Sequence, residues 1–133
     1  MGKFNRVSWM EGAGFEDAAG RVGGPSAAWT PTADVLESDD GFVIVVELPG
    51  LTLDDITLEI KGNQIILFGR TPDEKRPGGT RHHVVERPTG PFARAFTLDR
   101  AVRAGDVAAT LRHGLLTITL KKAAPRRRSI PVE

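Results

Sequence analysis

The residues with the greatest chemical potential are three histidines and two acidic pairs. His82 and His83 are adjacent, His113 stands alone, and the carboxylates come as Asp39-Asp40 and Asp54-Asp55. Imidazole and carboxylate are zinc donors and the usual general acids and bases, so this set could hold a metal or move protons. The spacing argues against both. Neighbours on an extended chain point to opposite faces, so His82 and His83 do not chelate one ion as a pair. The aspartates stand in turn-like surroundings, Ser38-Asp39-Asp40-Gly41 and the stretch after Pro49-Gly50, where capping and solvated roles are normal. With no cysteine in the chain, a thiolate site and a disulfide framework are excluded. Gly78-Gly79-Thr80 is a fragment of a phosphate loop without its lysine or its helix. The expectation is a protein that is not an enzyme and uses neither metal nor cofactor.

A different chemistry, the burial of apolar groups, is written into the two ends. Ser129-Ile130-Pro131-Val132-Glu133 follows a polar, proline-broken stretch that begins after Lys121. Proline restricts the residue before it to extended conformations, so Ile130 and Val132 project to the same side. That is the form of a peptide that docks on a sheet edge. Residues 1–30 combine six glycines with Phe4, Trp9, Met10, Phe15 and Trp29. Such a segment is too flexible to build a core and too apolar to be merely solvated, which reads as a sticky arm. A frayed terminus that packs locally on the domain is the alternative.

At 133 residues and 40% apolar content, the chain suits one domain with arms. A formal charge of +1 gives no general attraction for nucleic acid. Lys121-Lys122 and Arg126-Arg127-Arg128 are basic, but no aromatic platform accompanies them. No stretch approaches the roughly 18 apolar residues of a membrane span, and residues 1–30 lack the basic and apolar regions of a secretory signal. Neither nucleic acid nor membrane is therefore expected as a partner, and a cytoplasmic location is expected.

The elements between the arms are short. From Pro31 onward, apolar runs or period-2 alternation are broken every eight to twelve residues by turn signals. Asp34 to Glu37 precedes a turn, and Phe42 to Leu48 reads as a central strand buried on both faces. Leu51 to Asp55 suits one helical turn. Ile56, Leu58 and Ile60 share one face of the next strand, with Thr57 and Glu59 on the other. Gly62-Asn63 predicts a tight hairpin into Gln64 to Phe68. Residues 71–91 form a long loop with one extended run, His83-Val84-Val85-Glu86, counted as a strand. Phe92, Arg94, Phe96 and Leu98 share a face of the following strand. Val107, Ala109 and Leu111 mark another, which turns at His113-Gly114 into Leu115 to Leu120. Eight strand candidates without a long helix predict an all-β, immunoglobulin-like antiparallel β-sandwich with flexible N- and C-terminal arms. Its expected divisions are residues 1–30, 31–120 and 121–133.

Three blocks give this pattern a family likeness. They are Glu47-Leu48-Pro49-Gly50 with Asp54-Asp55-Ile56, then Glu86-Arg87 through Gly90-Pro91-Phe92-Ala93-Arg94-Ala95-Phe96-Thr97-Leu98, then Ala109 through Gly114-Leu115-Leu116-Thr117-Ile118. In this order the chain resembles the α-crystallin domain of small heat-shock proteins, of bacterial and plant type. Ile130-Pro131-Val132 matches that family's terminal I-x-[IV] motif. Asp99 stands where many members have proline.

The resemblance implies an ATP-independent chaperone, a holdase that keeps unfolding proteins from aggregating and assembles into oligomers of dimers. Its implied partners are further copies of the same chain and unfolded clients. It implies that Ile130, Pro131 and Val132 dock in a groove of a neighbouring dimer, lined by Ile56, Leu58 and Ile60 on one side and Val107, Ala109 and Leu111 on the other. A tail folded back on its own domain is the alternative. It also assigns Val84, Val85, Glu86 and Arg87 to strand exchange between protomers, against the alternative of a mobile surface loop. Arg94, a charge on an apolar face, then belongs to the dimer interface with a carboxylate partner, Glu86 being one candidate; a snorkelling arginine at the sheet edge is equally open. Clients would be captured by Phe4, Trp9, Met10 and Phe15. A monomeric co-chaperone with a related sandwich is the alternative function.

Overall fold

The computed structural model describes residues 28–123 and the backbone of three two-residue strands before them, β1 (Val7–Ser8), β2 (Phe15–Glu16) and β3 (Val22–Gly23). Seven longer strands follow: β4 (Ala33–Glu37), β5 (Gly41–Glu47), β6 (Ile56–Lys61), β7 (Gln64–Thr71), β8 (Gly90–Thr97), β9 (Ala108–Arg112) and β10 (Leu115–Lys121). One sheet has the order β1-β6-β7-β8 and the other β4-β5-β10-β9, with β2 and β3 pairing separately. All ladders are antiparallel except β1 on β6, which is parallel. The architecture is the all-β sandwich expected from the alternation.

Each inward face is apolar at every second position, as the pleat requires. Phe42, Ile44 and Val46 of β5, Ile56, Leu58 and Ile60 of β6, and Leu116, Ile118 and Leu120 of β10 are all buried in one cluster. Ile65 and Leu67 of β7 and Phe92 and Phe96 of β8, in the same sheet as β6, complete it. Strand β5 is central, but it is not buried on both faces: Val43 and Val45 are only half-buried and Glu47 is exposed. Their neighbours across the ladders are Leu36 and Thr119 for Val43, and Asp34 and Thr117 for Val45. The run Phe42 to Leu48 therefore overstates burial, because β-branched valines suit the solvent face of a strand as well as its core face.

Turn chemistry sets the registers. Gly62, at φ 59°, opens the two-residue turn between β6 and β7 and pairs Lys61 with Gln64. The Asn63 amide then donates to the Leu98 carbonyl at 2.8 Å, tying that turn to the end of β8. His113 and Gly114 both have positive φ, 52° and 75°, which is the turn type whose twist matches two antiparallel strands. Leu53–Asp55 is a single 3₁₀ turn closed by the Asp55 carboxylate, which accepts from the Thr52 amide at 2.9 Å.

The described body extends past both expected boundaries. Trp29, assigned to the arm, lies against Phe92 with ring centroids 5.1 Å apart and donates its indole N–H to the Gly90 carbonyl at 3.2 Å. At the other end the Lys122 amide donates to Asp40 and the Ala123 amide to Ala101. The Lys122 ammonium meets Glu37 at 2.7 Å and lies over the Phe42 ring. Lys122 and Ala123 are thus hydrogen-bonded to the domain.

Candidate functional site

The histidines and aspartates do not converge. His82 and His83 are exposed on the connection between β7 and β8, His113 is in the β9–β10 turn beside Arg112, and Asp39-Asp40 occupy the β4–β5 turn. Among the described residues, no three His, Asp or Glu side chains are grouped to hold a metal ion.

What the fold offers instead is edges. β4 ends one sheet, and its outer side has no strand partner among the described residues. Val35 shares a sheet face with Ile44, which is the core face, and Leu36 shares the opposite face with Val43. Both are largely exposed, at 48% and 54%, because nothing described lies beyond the edge. The loop of residues 72–89 is exposed throughout and carries Val84 and Val85 at 70% and 66%. The run His83–Glu86 forms no ladder within the chain, so the eighth strand candidate is not a strand here. A short extended run has nothing to pair with unless an edge is brought to it. The loop is clasped at its flanks by Arg87 and Glu74, whose guanidinium and carboxylate approach to 2.8 Å. The hydrogen bond and charge of Arg87 hold the Glu74 carboxyl below its ordinary range.

Arg94 lies on the apolar face of β8 between Phe92 and Phe96, as its spacing predicts. Its Nη1 donates to the Pro31 carbonyl at 3.0 Å, and its guanidinium is 5.1 Å from the Phe96 ring centroid. Within the chain, then, a backbone carbonyl and an aromatic face receive this charge where a carboxylate was expected. Glu86, the candidate partner, is exposed on the loop. Its Nε is buried with no hydrogen-bond partner among the described residues, which leaves one donor open to a further acceptor.

The residues expected to line the tail groove differ in exposure. Ile56, Leu58 and Ile60 are fully buried and Ala109 nearly so, leaving Val107 and Leu111 only partly covered. The open side of β6 is also occupied, since Val7 pairs with Leu58 and Ser8 with Glu59. Three apolar residues on one strand face are as good a core stripe as a groove lining, and alternation alone does not distinguish the two. Ile130, Pro131 and Val132 lie outside the described residues, as do Phe4, Trp9 and Met10. Phe15 falls in β2, where only the backbone is described.

Sequence reasoning missed the role of Trp29, hidden by the glycine-rich stretch before it. It also missed the outer face of β7 and β8, where Ile66, Ala93 and Ala95 are buried although they point away from the core. The continuous run Ile65-Ile66-Leu67-Phe68 was the available signal, because unbroken apolarity marks a strand covered on both faces.

Comparison with known proteins places this architecture. The model of the Hsp20/alpha crystallin family matches residues 34–133. The chain is 36% identical over 104 residues to spore protein SP21 of Stigmatella aurantiaca, which covers 78% of this chain and 60% of that protein. It is 39% identical over 90 residues to the 22.7 kDa class IV heat shock protein of Pisum sativum, which covers 67% of this chain and 46% of the relative. The chain thus spans about half to three fifths of the length of these two relatives. Among solved structures it superposes on a small heat-shock protein of Xylella fastidiosa with TM-score 0.65 at 30% identity, covering 80% of this chain and 99% of that one. Heat shock protein 16.0 of Schizosaccharomyces pombe gives TM-score 0.67 at 27% identity, covering 79% and 99%.

Proposed function

Because the chain belongs to the Hsp20/alpha crystallin family, we propose that it is an ATP-independent holdase that binds unfolding proteins in the cytoplasm and assembles into oligomers of dimers. The observation that carries self-association is the edge of β4, which has no strand partner among the described residues and exposes Val35 and Leu36, in a chain whose long loop presents Val84 and Val85. An exposed edge with apolar side chains is a template for another strand, and a second copy of the same loop supplies one. Each protomer would give residues 83–86 to the β4 edge of the other. The closely similar protein of Xylella fastidiosa is described as forming a distinct high order structure, which supports assembly beyond the dimer here.

Docking of Ile130 and Val132 on a neighbouring dimer would extend the assembly. Burial of the two contributes roughly 1.5 to 3 kcal/mol each, against an association cost of about 4 to 15 kcal/mol for a separate molecule. One tail alone binds poorly; many tails on one assembly bind at high effective concentration and still exchange. Client capture rests on the apolar arm residues Phe4, Trp9, Met10 and Phe15, whose burial is non-directional and so tolerant of sequence. No nucleotide is needed for such capture.

The test is light scattering of a heat-denatured client such as citrate synthase, without ATP, with the full chain and with a chain lacking residues 1–25. Full suppression by the first and loss by the second is the expected result. Equal suppression by both would remove the arm from the mechanism, and no suppression by either would remove the holdase. Native mass spectrometry beside a chain ending at Ser129 tests assembly, the expected outcome being collapse to dimers. A full chain that is monomeric throughout would favour the co-chaperone alternative.

A further inference from the structure

We propose that the outer face of the β6-β7-β8 sheet is a seat for the chain's own N-terminal segment, residues 7–23, which straps that sheet from the β6 edge to β8. The inference starts from parity. In β7, Ile65 and Leu67 face the core, so Ile66 faces away; in β8, Phe92 and Phe96 face the core, so Ala93 and Ala95 face away. The register sets Ile66 opposite Ala95 and Phe68 opposite Ala93, an apolar tile with Phe68, 37% exposed, at its open corner. On an antiparallel sheet with one solvated side this tile would lie in water. Instead Ile66 is 2% exposed and Ala95 3%, although neither belongs to the core cluster. One Oε of Glu59, which shares the outer parity on β6, is buried as well. Something therefore roofs this face from outside.

The same structure identifies the roof at both of its margins. β1 adds to β6 in parallel, Val7 on Leu58 and Ser8 on Glu59. β3, paired with β2 in a small hairpin, lies against β8 at the opposite margin of the face. One segment of chain thus touches the two outermost long strands of the sheet, and the tile lies between them. The composition of that segment suits the task. Glycine at 12, 14, 20 and 23 and alanine at 13, 18 and 19 allow backbone to approach a sheet face made of alanines closely. The seat does not depend on the tail-docking reading. It bears on it, however, because the strapped strand is the one assigned to receive the tail.

Amide hydrogen exchange on the full chain tests the strap. Replacing both Val7 and Ser8 by proline removes the amides that β1 brings to the β6 edge. Exchange at residues 57–60 is expected to accelerate at least about tenfold, with β5 and β10 unchanged. A second variant, Ala95→Glu, places a charge under the roof without touching the core face. It is expected to raise exchange and tryptic cleavage at Arg21 by a similar factor. Unchanged exchange at 57–60 in the proline variant would overturn the proposal. So would acceleration seen only in a chain ending at Ser129, which would assign the cover to the tail.

Discussion

Replacing Val84 and Val85 together by serine tests strand exchange most directly. A strand laid on β4 presents successive side chains to opposite faces, so one valine would pack inward beside Val35 and the other outward beside Leu36. Complete burial of such a side chain contributes about 1.5 to 3 kcal/mol, and these two are already one third covered. Each valine should therefore supply about 1 to 2 kcal/mol when a partner covers it. A symmetric exchange buries four of them, or about 4 to 8 kcal/mol per dimer. That is comparable to the association cost of about 4 to 15 kcal/mol, so the valines decide whether the dimer exists at working concentrations. The double substitution should raise the dimer dissociation constant by about three to six powers of ten. Sedimentation velocity over a dilution series measures it. Since 83–86 makes no ladder in the single chain, thermal unfolding of the isolated protomer should stay where it was. A dissociation constant that moves by less than about tenfold would refute the exchange.

Trp29→Ala should lower domain stability by about 2 to 3 kcal/mol in urea unfolding, less than for a fully buried indole, because the ring is only half-buried on Phe92; Trp29→Phe should recover most of the loss. Arg94→Met should cost about 1.5 to 3 kcal/mol by removing the bond to Pro31, and should leave the dimer dissociation constant within about threefold. A large shift in that constant would return Arg94 to the interface. The Glu74 carboxyl should titrate below its ordinary value of 4.5, followed by its side-chain carbon resonance in NMR, and should rise toward that value in Arg87→Met. Since the folded pKa is the lower one, the clasp is intact above the ordinary carboxylate range and is lost as pH falls through the depressed value.

Strand positions were legible because two signals agreed. Alternation placed Ile56, Leu58 and Ile60 on one face, and Gly62 and Gly114 stood where the turns require positive φ. Arg94 was legible as a charge on an apolar face, but not its acceptor, because Pro31 is 63 residues away and a backbone carbonyl carries no sequence signal. The stripe on β6 was ambiguous for a related reason. A stripe of branched residues records that something covers it, and not whether the cover is the opposite sheet, another strand or a neighbour. Trp29 was lost to composition, since a single aromatic after a run of glycine and alanine gives no period to read.

The anchoring of Lys122 and Ala123 turns the last residues into a ruler. With the chain held through Ala123 by Asp40, Ala101 and Glu37, the seven residues 124–130 reach from the anchor to Ile130 itself. Fully extended they span at most about 25 Å. Any surface that receives the tail must lie inside that radius, so the length of this stretch limits how far apart two linked subunits can stand. Removing three residues between 124 and 129 would shorten the radius by about 10 Å. The permitted spacing, and with it the curvature of any shell built from these links, is then encoded in a residue count instead of in a contact.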